Sequence, residues 1–327
     1  MDFDSSQMFL SMFTLGESLF AALVVCLGAL FYLRRVRLDR PAIGRFNGRD
    51  VMILFAVLVF LPRLYLLLPL WALMSVLTVT FAAALSIGFR PLVAPTPLWL
   101  GIGVLIGADL WMGQHMINTV LNWQLVWAEN SLVMLLAVIA IANLYVQGGM
   151  QLRHVAWFAG GLAIYDSLFS FVWPVSSLLL REFVTRPLFP AMGMRIGYDE
   201  AVIGVGDVLI FAAFTIAAYK AYGRPGLRLA LPLVLGFGVI LPALSGLLID
   251  YAVLILNFRN LSLDLVIPVQ TWFGPVAVIG YLWLRHRYGR ERTIKEYLAS
   301  TDSGRRAPPA TAVIPEEPKI ESKPVSA

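Results

Sequence analysis

The strongest constraint on this chain is the recurrence of apolar stretches about twenty residues long, the length of helix that crosses a bilayer core of about 30 Å. Such stretches are predicted over 16–34, 51–68, 70–89, 97–117, 127–147, 155–177, 201–222, 227–256 and 265–285. In hydrocarbon a backbone must satisfy its own hydrogen bonds, which favours helices for runs of this length. Composition agrees: 59% of residues are hydrophobic and 14% charged, with mean hydropathy +0.78, where soluble domains carry roughly a quarter charged residues. The expected fold is an all-α polytopic membrane protein, a nine-helix transmembrane bundle with the lipid bilayer as its solvent. The membrane domain is expected over 1–296. Residues 297–327, rich in Pro, Ser, Ala and charge, are expected to form a disordered cytoplasmic tail with no core to bury. The run from 51 to 89 is too long for one span at about 1.5 Å per residue. Pro62, Arg63 and Pro69 divide it, and Arg63 is read as snorkelling to the interface.

Charge placement sets the expected topology, because Lys and Arg accumulate on the cytoplasmic side. Arg34, Arg35, Arg37, Arg40, Arg45 and Arg49 follow the first stretch; Arg90, Arg153, Lys220, Arg224 and Arg228 mark later breaks; Arg285, Arg287, Arg290 and Arg292 follow the last. Threading the helices alternately brings all of these to one side. Arg181, Arg186, Arg195 and Arg259 fall on the other. The N-terminus is then outside and the C-terminus cytoplasmic, in a protein of the cell membrane. The acidic start MDFDSSQMF is unlike a secretory signal, so the first stretch is expected to be retained. The net charge of +5 is read as orientation, with no nucleic-acid partner. A single cysteine, Cys26, excludes an intramolecular disulfide or a cysteine-based metal site, and His115, His154 and His286 form no ligand pair. No metal or organic cofactor is expected.

Ionisable residues inside membrane helices are expensive, and each is a functional hypothesis. Asp166 and Asp207 lie inside the sixth and seventh stretches, with Asp109 as a third candidate; Glu17, Glu129 and Asp250 lie nearer the ends. Asp166 lies about 17 Å along its helix from one side and Asp207 about 9 Å from the other, at about 1.5 Å per residue. The two therefore reach similar depth on consecutive antiparallel helices. Neighbouring carboxylates share one proton. One can then take a proton from water while the other, protonated, stabilises the developing gem-diol, which suits peptide hydrolysis. Gly204 and Gly206 lie just before Asp207, and small residues there let another backbone approach. Asp109 is expected to serve structure, as a further polar group in the cavity or paired with Gln114 or His115. The rival reading is a proton-coupled transporter with Asp109, Asp166 and Asp207 along a polar path.

Tyr165-Asp166 and Gly204-Val205-Gly206-Asp207 together resemble the YD and GxGD motifs of the presenilin and signal peptide peptidase family of intramembrane aspartyl proteases. That family also has nine helices, with these motifs on the sixth and seventh. The resemblance rests on motifs in helices six to nine and on helix count elsewhere. It implies Asp166 and Asp207 as the catalytic pair, Tyr165 orienting the first carboxylate, and transmembrane peptides or proteins as substrates. The family's PAL motif opens its last helix. Here Pro268-Val269-Gln270, with Pro275 beyond it, takes that position, while the literal string Pro242-Ala243-Leu244 falls in the eighth stretch. Prepilin peptidases share a GxGD-like signature, but the lysine usual after it is replaced here by Val208 and Leu209. The segment 178–200 is too short for a large presenilin-type insert. Likeness to the peptidase branch and an outside N-terminus point to substrates of type II orientation. A second Tyr-Asp pair, Tyr198-Asp199, beside Glu200 and near Arg195, reads as a solvated loop. A catalytically silent relative would carry a similarly altered PAL.

Overall fold

The structure, a computed structural model, describes residues 5–38, 48–116, 120–171, 186–196, 199–245 and 268–306. In chain order these form α1 (Ser5–Arg35), α2 (Gly48–Leu67), α3 (Leu70–Phe89), α4 (Pro95–His115), α5 (Val120–Gln147), α6 (Leu152–Phe171), β1 (Ala191–Ile196) and β2 (Asp199–Gly204). They continue as α7 (Val205–Tyr222), α8 (Arg224–Ala243), α9 (Val269–Tyr288) and α10 (Ile294–Arg306). Among the described residues, six helical segments are long and apolar enough to cross a membrane: Met12–Arg35, Leu70–Phe89, Pro95–His115, Asn122–Gln147, Val205–Tyr222 and Arg224–Ala243. The other three predicted spans are also helical, as α2, α6 and α9. Of these, α6 carries Asp166 and Ser167, and α9 carries Gln270, Thr271 and the run Arg285-His286-Arg287.

Helix starts differ from the sequence reading at α1 and α5, which begin at Ser5 and Val120, and two further differences are of kind. Residues 201–204, predicted to begin the seventh helix, belong instead to β2, which pairs antiparallel with β1 in the register Ala191↔Gly204 to Ile196↔Asp199. Val202 and Ile203 suit a pleated surface as readily as a helix, and the pairing with β1 decides between them. Residues 297–306, assigned to the tail, are helical: Thr293 and Glu296 form a capping box, each bonding the other's backbone N–H, that starts α10. Residues 172–177, 246–256 and 307–327, which complete the predicted sixth and eighth spans and the tail, lie outside the described residues.

The core is built around α7. Val208, every residue from Ile210 to Ala218, Lys220 and Ala221 are buried, as expected of a helix apolar on all sides. It is packed by α1, α5, α6 and α8. Small residues permit this closeness: a Cβ on Gly238 of α8 would lie 2.6 Å from the Phe211 ring. Thr215 donates to Cys26 of α1 at 3.4 Å, and both side chains are wholly buried. Around this core, Phe60, Leu67, Trp71, Val79, Leu100 and Val104 on α2, α3 and α4 are half or more exposed. In water such a surface is a liability, and in hydrocarbon it is the favoured one.

One end of the molecule gathers many of the cationic residues, as alternate threading requires. The end of α1 meets the end of α7 through Arg34, which donates to the Tyr219 hydroxyl at 3.1 Å, and the end of α5 through Gln147, bonded to Val36 O and Leu38 N. Tyr32 donates to Gly88 O at the end of α3. Beyond α9, Glu291 accepts the Leu152 N–H that opens α6 at 2.8 Å, and Arg292 donates to Ala221 O of α7 at 3.1 Å. Lys220 donates to Met150 O between α5 and α6. The β-hairpin and the start of α7 occupy the opposite end.

Candidate active site

Asp207 lies in the first turn of α7, because the chain leaves β2 at Gly204 in extended conformation and turns helical at Val205. It is therefore closer to the helix start than the sequence reading placed it. A carboxylate at a helix N-terminus is stabilised by the unpaired N–H groups and the helix dipole. Asp166 lies in the second half of α6, partly exposed, and close enough to Asp207 for the two carboxyl groups to act on each other electrostatically. The packing of α6 on α7 thus brings the two aspartates singled out from sequence within electrostatic range of each other. Tyr165 is buried, within electrostatic range of Asp166.

The third participant is α9. Pro268 takes an extended conformation, φ −60° and ψ 148°, and the helix begins at the next residue, where a proline's fixed φ and missing N–H cost nothing. Gln270, 1% exposed, donates from Nε2 to Asp207 Oδ1 at 2.8 Å. The next residue, Thr271, bonds Ser167 of α6 through their hydroxyls at 3.1 Å. Adjacent residues of α9 therefore fasten the residue after Asp166 and Asp207 itself. Sequence reasoning passed over Gln270; its signal was one uncharged polar residue two places beyond the proline that opens an apolar helix.

Below this point α6 and α9 meet with almost no side chain between them. A Cβ on Gly274 would fall 2.4 Å from Ala159 O and 2.7 Å from Ala163 Cβ. Phe273 fills the α7 side, edge-on to Phe211 and Phe214.

The glycines before Asp207 differ in their surroundings. A Cβ on Gly204 would lie 3.1 Å from Asp207 Oδ2, whereas Gly206 is exposed with open space beside it. Gly204 thus keeps Oδ2 uncrowded while Gln270 holds Oδ1. Pro242 and Ala243 end α8 and Leu244 caps it, after a π-helical stretch over Val234–Ile240 that packs on α1 and α9. It is Pro268 that opens the helix bonded to Asp207.

Asp109 has partners of its own. It is wholly buried, accepts the Leu188 N–H and faces Glu129 of α5. The His115 ring is exposed, stacked on Trp111 and bonded to Trp111 O of its own helix. Of the second Tyr-Asp pair, Tyr198 lies outside the described residues and Asp199 begins β2, with Glu200 opposite Arg195 in the hairpin register. Among the described residues no group of three or more His, Cys, Asp or Glu side chains is placed to hold a metal ion. No protein-family profile matches this sequence, and comparison with curated proteins and with solved structures found no similar chain.

Proposed function

We propose that this chain is an intramembrane aspartyl protease of the presenilin and signal peptide peptidase type, a nine-helix transmembrane bundle that hydrolyses peptide bonds within membrane-spanning segments. The observation that carries the reading is the junction of α6, α7 and α9: Asp207 in the first turn of α7, within electrostatic range of Asp166 and held at one oxygen by Gln270. With one proton shared between the carboxyls, the ionised member takes a proton from the attacking water as its oxygen adds to the scissile carbonyl carbon. The protonated member gives its proton to the carbonyl oxygen, forming the gem-diol. Return of a proton to the amide nitrogen then breaks the C–N bond and releases an amine and a carboxylic acid. Tyr165 orients Asp166, Gly204 and Gly206 admit the substrate backbone, and Pro268 stands in the place of the PAL proline.

The scissile segment must be extended, since a helix hides its peptide bonds in its own ladder. Strand β2 runs straight into the helix that bears Asp207, and β1 pairs only one of its edges. That arrangement favours an extended segment laid beside the dyad. Substrates are transmembrane peptides of type II orientation, and no cofactor takes part. Hydrolysis is preferred to proton-coupled transport because Asp109 engages Leu188 and Glu129, while the interaction at the junction of α6 and α7 is between Asp166 and Asp207.

The test is cleavage of a labelled type II signal peptide by the purified protein in detergent, beside Asp166→Ala and Asp207→Ala. Product from the wild type alone supports the dyad. Absence of product from all three, across several substrates and lipids, moves the reading to a transporter or a silent relative.

A further inference from the structure

The segment entering the hairpin is fastened by polar side chains of α4 and α5 that the hydrolytic step does not use. Asp109 Oδ2 accepts the Leu188 N–H at 2.5 Å. Asn130, 4% exposed, donates from Nδ2 to Phe189 O at 3.0 Å and to Ala191 O at 2.9 Å. Ser131 Oγ accepts the Gly193 N–H at 3.1 Å and donates to Gly193 O at 3.3 Å. Gly113 makes room for Pro187, whose Cγ would lie 2.9 Å from a Cβ there. Between these anchors Leu188 has φ +53°, a left-handed conformation unfavourable to a branched side chain, which persists only where its surroundings impose it.

The fastened segment leads to the dyad in two steps. Pro190 O accepts the Val205 N–H at 3.1 Å, and Ala191 stands opposite Gly204 in the hairpin. Fixing 188–191 therefore fixes Gly204 and Val205, within three residues of Asp207. Apolar residues would fill the space around Asp109 and Asn130 at less cost in a membrane helix. These polar side chains aim at the backbone of a connecting segment, which packing alone does not require.

We propose that Asp109, Asn130 and Ser131 are positioning residues for the dyad, which hold the entry to the hairpin and through it set the first turn of α7 against Asp166 and Gln270. This rests on the protease reading, and its experiment separates the two. Full-length wild type, Asn130→Asp, Asp109→Leu and Asp109→Asn are compared in detergent by amide hydrogen exchange over 187–204 and by kcat and KM on a labelled type II signal peptide. Asn130→Asp keeps the shape but turns a donor into an acceptor facing two carbonyls, and Asp109→Leu removes the acceptor. For lost bonds of this kind, exchange in the hairpin should rise and kcat should fall, each roughly tenfold or more, with KM within about threefold and exchange in α9 unchanged. Asp109→Asn, which still offers an oxygen to Leu188 N–H, should follow wild type on every measure. Wild-type exchange in both disruptive variants overturns the fastening, and a loosened hairpin with unchanged kcat overturns the positioning role. Should Asn130→Asp fail to fold, Ser131→Ala is expected to loosen the hairpin locally, and unaltered exchange in it overturns the proposal. A wild type that cleaves nothing overturns the protease reading and with it the positioning role, while exchange still decides the fastening.

Discussion

At the scale of single residues, Gln270 is the side chain on which the proposed dyad most depends. Its hydrogen bond to Asp207 Oδ1 is to a charged or proton-sharing group, a class worth about 1.5–3 kcal/mol. Gln270→Ala should therefore lower kcat by roughly 10- to 100-fold, with little change in KM, if the bond matters to the transition state. Steady-state cleavage in detergent would show this, and an unchanged kcat would remove Gln270 from the site. Asp166 and Asp207 were legible in the sequence because a carboxylate inside an apolar run needs a reason. Gln270 was not, since one amide in a membrane helix has many uses, and its partner lies 63 positions away. Asp109 was legible as a buried polar group, but its partner, a backbone N–H in a connecting segment, leaves no mark on sequence.

Among the elements, helices were read more surely than the strands between them. The predicted 70–89 coincides with α3, and the fourth and ninth stretches lie within a few residues of α4 and α9. The hairpin went unread because a short apolar run with β-branched residues looks alike as strand or helix end, and pairing is a property of two segments. The seam between α6 and α9 gives a contrast between two glycines. Gly274→Val must push Ala159 O away and should destabilise by about 1–3 kcal/mol, seen as a lower midpoint of thermal unfolding in detergent. Gly206→Ala meets nothing and should fold at least as well, gaining up to about 1 kcal/mol of helix propensity. If substrate backbone passes there, the same variant should nonetheless cleave more slowly. Equal loss of stability in both variants would contradict the packing described.

For the whole molecule, the cationic end is where the helices are tied together. Burial pushes the Glu291 carboxyl above its ordinary value of 4.5, against the pull of the Leu152 and Arg153 N–H groups and of Lys220. A carboxyl whose folded pKa is raised contributes stability that is complete below its unfolded pKa and is lost as pH rises through the folded one. Thermal midpoints should accordingly fall as pH climbs above about 4.5 through that raised range, and Glu291→Gln, which keeps an oxygen for Leu152, should flatten the slope. An identical pH profile in the variant would assign the slope to other groups. Finally, α7 is buried at Val208 and from Ile210 through Ala218, and there is open space beside Gly206, next to Asp207. The proposed hydrolysis consumes a water molecule, and the space beside Gly206 at the hairpin end offers it an entry. On the proposed protease reading, with the cationic end placed in the cytoplasm, that water comes from outside the cell, and impermeant reagents added externally should reach a cysteine placed at Gly206 while the native Cys26, wholly buried, stays silent.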